Sequence, residues 1–307
     1  MEFLYLLEKI RLPGLNEFML AITYLGDEIA FLVVALILFW CVDKRRGYYV
    51  LAVGFFGTLA NQFLKLACRV PRPWKLDENF TILEQAREGA SGYSFPSGHT
   101  QSSVGTFGAI ACTTKNRWVR RLCITVAVLV PFSRMYVGVH TPWDVLAAAL
   151  MAIALIFLMK PIVYKDNGKW IPVMLTVGAM LSLAFLCYVE LWPFPADIDH
   201  HNLESGVKNA YTLLGALLGM MAVYFVDEKW LHFQEKAPLP GQILKVILGL
   251  LTVLAVKEGL RAPLEALFGG HMIARGLRYF LLVLVAGIVW PLTFRWFARV
   301  GKKESRT

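Results

Sequence analysis

Apolar stretches long enough to cross a lipid bilayer recur along almost the whole of this chain. A transmembrane helix needs roughly 20 predominantly apolar residues to span the hydrocarbon core. Of the 307 residues, 57% are hydrophobic and 17% charged, whereas a soluble domain carries about 25% charged residues. The pattern predicts an all-α, polytopic transmembrane helical bundle.

The apolar segments alternate with short connections. They cover approximately residues 15–42, 48–64, 99–114, 119–138, 143–159, 171–191, 207–226, 241–256 and 277–298. The first is interrupted at Gly26-Asp27-Glu28, which predicts a short or re-entrant piece ahead of a spanning helix. Residues 1–12 alternate apolar and charged side chains at helical spacing, which predicts an amphipathic helix at the membrane interface.

The basic residues between the segments orient the chain in the membrane. The connections at 44–46, 115–121, 160–169, 227–236 and 299–307 are mostly basic, and the positive-inside rule places them in the cytoplasm. The connections at 65–98, 134–142, 192–206 and 257–276 then lie on the other face. The net charge of +9 follows from this topology and from anionic lipids, so no nucleic-acid partner is expected.

Three polar clusters lie where apolar segments meet the non-cytoplasmic face. They are Lys65 to Pro73, Phe95 to His99 and Ser133 to Asp144. Lysine and arginine are depleted on this face of membrane proteins, so interfacial anchoring explains these clusters poorly. Arginine offers a planar fork that matches phosphate oxygens, and the N–H groups at the start of a helix favour an anion. The second cluster immediately precedes such a start.

The histidines supply the reactive groups. His140 and Asp144 are spaced i, i+4, so on a helix they share a face and the carboxylate can hold the imidazole in one tautomer. A neutral, oriented imidazole can attack phosphorus. His99 can protonate the departing alkoxide.

The three clusters resemble the signature motifs of the type 2 phosphatidic acid phosphatase superfamily, which also includes vanadium haloperoxidases and glucose-6-phosphatase. The family pattern is Lys, six residues, Arg-Pro; then Pro-Ser-Gly-His; then Ser-Arg, five residues, His, three residues, Asp. Every fixed position is present here, in order. The resemblance covers roughly residues 1–160.

The resemblance implies a role for each matched residue. His140 is the nucleophile that forms a phosphohistidine, Asp144 orients it, and His99 is the general acid and the base that activates water. Five residues are implied to bind the phosphate: Lys65, Arg72, Arg134, Ser97 and Gly98. Neither a metal nor another cofactor is expected, because cations and N–H groups stabilise the transition state.

The chain divides, by this interpretation, into a phosphatase core at 1–160 and a membrane extension at 161–307 with about four transmembrane helices. In the extension, Arg275 and Arg278 with Lys257 and Arg261 either grip a headgroup or diphosphate or act as interfacial anchors, and anchoring is the favoured interpretation. The polar stretch at 197–204 contains two histidines and three carboxylates, which is more typical of an exposed loop than of a metal site.

The sequence thus predicts a metal-independent membrane lipid phosphatase at the non-cytoplasmic face. The substrate is a phosphorylated lipid of the phosphatidic acid, phosphatidylglycerophosphate or undecaprenyl diphosphate class. Alternatives are an undecaprenyl-diphosphate phosphatase specifically, a sugar phosphatase like glucose-6-phosphatase, a vanadium haloperoxidase, and a non-catalytic lipid-binding membrane protein. A bacterial cytoplasmic membrane with the site facing outward is expected, and the oligomeric state and source stay open.

Overall fold

The computed structural model describes residues 1–300, and these residues contain helices but no β-strand. The predicted all-α class is confirmed. The helices are α1 (Glu2–Lys9), α2 (Pro13–Thr23), α3 (Glu28–Ile37), α4 (Lys44–Cys68), α5 (Pro73–Leu76), α6 (Gly98–Thr113), α7 (Arg117–Tyr136), α8 (Pro142–Tyr164), α9 (Ile171–Leu191), α10 (His200–Val226), α11 (Leu239–Gly259), α12 (Arg261–Leu267), α13 (Ile273–Leu284) and α14 (Phe294–Phe297). Most of the predicted basic tail, residues 301–307, lies outside the described residues.

Six helical stretches of the described chain are long and apolar enough to cross a membrane. They are Lys44–Leu76, Pro142–Gly168, Ile171–Leu191, His200–Leu231, Leu239–Leu267 and Ile273–Phe297. A seventh results if α2 and α3 form one span, which bends by 55° at the predicted interruption. The last four stretches agree with the additional C-terminal helices that the sequence predicts.

The α6 and α7 helices, predicted as apolar segments 99–114 and 119–138, are not among these six stretches. The α6 helix has 16 residues, about 24 Å of rise. The α7 helix carries arginines near both ends, at its first turn and at Arg134. The α6 helix is therefore shorter than a typical span of roughly 20 residues, α7 carries charge at both ends, and both helices carry residues of the polar clusters.

The helices form two compact units, each assembled from separate stretches of chain. The first combines residues 1–35, 49–165 and 191–206; the second combines residues 36–48, 166–190 and those from 207 onward. The division predicted at residue 160 stays a prediction.

In the first unit, α6 packs against α7 and α8 through small residues. Gly105 lies against Val53, and a side chain at Gly108 would overlap Ile156 of α8. Ala148 and Ala152 of α8 are fully buried. Small residues let helices approach closely where lipid tails leave little hydrophobic driving force between them.

The N-terminal residues hydrogen-bond to, and pack against, the loop that follows α5 and the end of α7. Arg11 donates from Nε to the carbonyl oxygen of Tyr136 at 3.0 Å and from Nη1 to that of Thr81 at 2.8 Å. The Tyr136 hydroxyl donates to Asn16 Oδ1 at 2.8 Å. Met19 of α2 packs in a buried cluster with Ala86, Ala90, Tyr136, Val137 and Val139. The loop and the end of α7 are thereby fixed relative to one another.

In the second unit, α10 and α13 make a close crossing. Gly215 of α10 faces the backbone of Gly276, and Gly219 faces Val283. A methyl group at Gly215 would overlap the carbonyl oxygen of Gly276, which cannot move independently of α13.

We expect Gly215→Ala to destabilise the protein by about 1–3 kcal/mol, because overpacking must push α10 and α13 apart. Thermal unfolding of the purified protein in detergent measures this. Gly259→Ala is the matched control, because nothing lies within 4 Å of a Cβ at that helical position. Equal melting temperatures for the two variants would contradict the close crossing.

Candidate active site

The three polar clusters come together at one end of the helices of the first unit. Lys65 lies in the last turn of α4, and Arg134 lies in the last turn of α7. Ser97 is the N-cap of α6, and Asp144 lies in the first turn of α8. Six of the eight predicted residues are buried: Lys65, Arg72, Ser97, Arg134, His140 and Asp144. Gly98 and His99 are partly exposed.

His140 is held between a cation and a carboxylate. Arg72 Nη1 lies 3.0 Å from His140 Nε2, and His140 Nδ1 lies 3.6 Å from Asp144 Oδ2. A guanidinium only donates hydrogen bonds, so Nε2 is the acceptor and the ring proton is on Nδ1, facing the carboxylate. The lone pair of Nε2 therefore points toward the cations.

The predicted proximity of His140 and Asp144 is present, but the predicted reason is wrong. His140 precedes the N-cap Thr141, so the two residues do not share a helix face. Asp144 Oδ2 instead accepts from the Thr141 backbone N–H at 2.7 Å and from Ser94 Oγ at 2.7 Å. Thr141 and Asp144 form a capping box. The helix cap and the loop together position the carboxylate.

Backbone carbonyls of residues 91–93 hold two of the three cations. Arg72 donates from Nη2 to Ser91 O at 2.7 Å and from Nε to Gly92 O at 3.0 Å. Lys65 Nζ donates to Tyr93 O. The sequence motifs include neither this loop nor Ser94, because the loop contributes mostly main-chain atoms.

Arg134 is the least satisfied of the three cations. Its Nη1 donates to Thr23 Oγ1 at 2.7 Å, while Nε and Nη2 are buried without a partner among the described residues. Nearly all buried donors in proteins are hydrogen-bonded. Two parallel free N–H donors of one guanidinium match the oxygens of a phosphate group.

The start of α6 adds backbone donors beside the cations. Ser97 Oγ accepts from Thr100 N at 3.4 Å as a helix cap, which leaves its own proton free to donate. Asn61 donates to Pro96 O at 3.2 Å and so fixes the chain before the cap. His99, in the first turn, is more exposed than His140.

The cations act electrostatically on both imidazoles. Burial disfavours protonation of His99 and His140, and the charges of Lys65, Arg72 and Arg134 disfavour it further. His140 lies in the connection before α8, outside the spanning segments. Burial lowers its pKa well below the ordinary value, and the three cations lower it further. Its imidazole is therefore neutral at pH 7.

Within residues 1–300, no three His, Cys, Asp or Glu side chains are placed to hold a metal ion. In the polar stretch at 197–204, Asp199 accepts from Lys75 Nζ at 3.0 Å and from Asn202 N at 3.2 Å. This ion pair lowers the pKa of the Asp199 carboxyl.

Comparison with known proteins agrees with this arrangement. Residues 45–167 match the model of the PAP2 superfamily, and residues 211–303 match that of the PAP2 superfamily phosphatase, transmembrane extension. Phosphatidylglycerophosphatase B of Bacillus subtilis is 33% identical over 49% of this chain and 76% of its own length. The chain belongs to the PAP2 superfamily. The predicted family is confirmed, as are its hydrolase class and its integral membrane character.

Other members of the PAP2 superfamily are similar over different lengths. An undecaprenyl-diphosphatase of Sulfolobus acidocaldarius is 30% identical over 51% of this chain and 75% of the relative. A probable sphingosine-1-phosphate phosphatase of Dictyostelium discoideum is 27% identical over 73% of this chain. That match spans only 55% of the Dictyostelium protein.

We expect Ser94→Ala to lower turnover of a lipid phosphomonoester about ten-fold, since one hydrogen bond to a charged group contributes about 1.5 kcal/mol. Without Ser94 Oγ, the carboxylate of Asp144 is held by the helix cap alone. Ser91→Ala is the control, because Ser91 contacts Arg72 only through its backbone carbonyl. A loss of equal size in both variants would show that Ser94 does not act through Asp144.

Proposed function

We propose that this chain is a metal-independent membrane lipid phosphatase acting through a phosphohistidine on His140. The observation that carries the proposal is the buried Arg134, whose two unpartnered nitrogens lie in the same cluster as the neutral His140. Three cations and a helix start favour an anion there. The neutral imidazole, whose Nε2 lone pair faces the cations, supplies a nucleophile.

In the first step, the Nε2 lone pair of His140 attacks phosphorus and the bond from phosphorus to the lipid oxygen breaks. His99 donates a proton to the departing oxygen. The negative charge of the phosphate offsets the field of the three cations, so His99 can hold that proton when substrate is bound. Asp144 stabilises the charge that develops on the ring of His140.

In the second step, water attacks the phosphohistidine. His99, now neutral, accepts a proton from the water, the bond between phosphorus and Nε2 breaks, and inorganic phosphate leaves. Lys65, Arg72 and Arg134 stabilise the negative oxygens in both transition states. Both steps use the same histidines, with His99 changing from acid to base.

The substrate class follows from the setting of the site. The named relatives act, by their names, on sphingosine 1-phosphate, undecaprenyl diphosphate and phosphatidylglycerophosphate. These substrates share a phosphate group on a lipid. A site at the ends of membrane helices suits such a molecule, because the tail stays in the bilayer while the phosphate reaches the cations.

The non-cytoplasmic face is supported by charge within the first unit. The end of α6 to α8 away from the site carries Lys115, Arg117, Arg120, Arg121, Lys160 and Lys165. Two of these side chains hydrogen-bond the last carbonyls of α6 and its connection, Arg120 to Thr114 O and Lys160 to Cys112 O. The positive-inside rule places this end in the cytoplasm and the site opposite.

Purified protein should release phosphate from at least one lipid in a panel of phosphatidic acid, phosphatidylglycerophosphate, undecaprenyl diphosphate and sphingosine 1-phosphate. His140→Ala should lower that turnover at least about 10³-fold, since it removes the nucleophile. A ³²P-labelled substrate should leave an acid-labile, base-stable phosphoenzyme that the variant lacks.

The control for that assay is His201→Ala, an exposed histidine outside the cluster. Turnover that survives His140→Ala would contradict the phosphohistidine mechanism. Turnover of a soluble sugar phosphate alone would favour the sugar phosphatase, and binding with no release from any substrate would favour a non-catalytic lipid-binding protein.

Chelation by EDTA should leave turnover unchanged, and vanadate should inhibit it by occupying the same cations. The reason is that arginine, lysine and backbone donors provide the positive charge that a metal ion supplies elsewhere. Turnover measured before and after dialysis against EDTA tests this. Loss of activity that Mg²⁺ restores would contradict the metal-free mechanism.

A further inference from the structure

We infer that α10 and α13 of the second unit carry a separate phosphate-binding site, built from Arg275 and Arg278, which takes the phosphate of an anionic lipid headgroup. None of its residues belongs to the His140 cluster. The inference goes beyond the proposed catalytic function and does not depend on it.

Arg278 is a buried cation whose Nε has no hydrogen-bond partner among the described residues. The residue is 7% exposed, and its Nε is enclosed and makes no hydrogen bond. Its guanidinium carbon lies 5.8 Å from the ring centre of Tyr279, and it forms no ion pair with any described carboxylate. An unpaired guanidinium in a membrane helix is unfavourable unless an anion or water reaches it.

Arg275 brings a second cation to the same side of α13. The two arginines are spaced i, i+3, so they are neighbours on the helix surface. Arg275 Nε donates to Thr212 Oγ1 of α10 at 2.8 Å, and its guanidinium carbon lies 5.5 Å from the Tyr279 ring centre. The Thr212 hydroxyl donates to Lys208 O at 2.8 Å and therefore accepts from Arg275.

Two adjacent guanidiniums repel each other unless an anion lies between them. A phosphate group satisfies several N–H donors at once, and arginine forks match its oxygens. The close α10–α13 crossing at Gly215 and Gly276 keeps both arginines in a fixed position. The pair therefore resembles a prepared anion site more closely than two independent interfacial anchors.

The depth of the pair favours a lipid headgroup as the source of the phosphate. The span Ile273–Phe297 begins at α13, and Arg278 is five residues, roughly 8 Å, along that helix. An arginine side chain at this depth can extend along the helix toward the interface, where the lipid phosphates lie. The N-terminal end of α13 adds a partial positive charge.

The test is thermal unfolding of the full chain in maltoside detergent, with phosphatidylglycerol, phosphatidylcholine or inorganic phosphate added. We expect phosphatidylglycerol at saturating excess to raise the melting temperature by about 5 °C, and phosphatidylcholine to raise it less. The double variant Arg275→Gln/Arg278→Gln should lose most of the difference. Arg261→Gln should keep it, because Arg261 is exposed and pairs with Glu265.

The three added ligands and the variants distinguish the possible outcomes. A shift from inorganic phosphate that the double variant loses would assign the site to the soluble ion and overturn the lipid. An equal phosphatidylglycerol shift in the double variant and the wild type would overturn the site itself. Because the His140 cluster is intact in every variant, phosphate bound there cancels in the comparison. If the double variant does not fold, Arg275→Gln and Thr212→Val, which alter partly exposed residues, give the same comparison.

Discussion

Three cations gathered in the buried end of an apolar bundle constrain the rest of the first unit. Burying Lys65, Arg72 and Arg134 is unfavourable unless each is compensated, and Asp144 is the one carboxylate that the motifs bring to them. Main-chain carbonyls at residues 91–93 accept hydrogen bonds from Lys65 and Arg72, whereas Arg134 is bonded to Thr23. The loop must therefore fold over the site, and the N-terminal helices, through Arg11, hold the end of that loop region in place.

Much of this arrangement could be predicted because it depends on periodicity and side-chain type. Apolar length alone identified the spanning helices α8, α9, α10, α11 and α13, and the broken stretch at Gly26 to Glu28 became the bend between α2 and α3. The motif residues lie in the last turns of α4 and α7, at the starts of α6 and α8, and in the connections beside them. Such features are local in the chain, so a single sequence is enough to find them.

The rest could not be predicted because it depends on tertiary main-chain contacts. The residue types at positions 91–93 give no indication that their backbone carbonyls bind two cations. The spacing of His140 and Asp144 suggested a shared helix face, whereas a helix cap separates them. The sequence Thr141-Pro142-Trp143-Asp144 is itself typical of a capped helix start with proline at the first helical position, which places His140 before the helix. Arg134 donates a hydrogen bond to Thr23, which is 111 residues away in the chain, and no sequence pattern predicts this contact.

A comparison of buried cations connects the two units chemically. Lys245, 1% exposed, donates to the carbonyls of Trp40 and Glu235 at 2.8 Å each, so this fold can satisfy a buried cation when its position is structural. Arg134 and Arg278 are also buried, yet Arg134 has two enclosed nitrogens without a partner and Arg278 has one. Arg134 belongs to the cluster whose motifs predict phosphate. Since an enclosed Nε without a partner recurs at Arg278, beside a second arginine, an anion is the simplest common explanation for both.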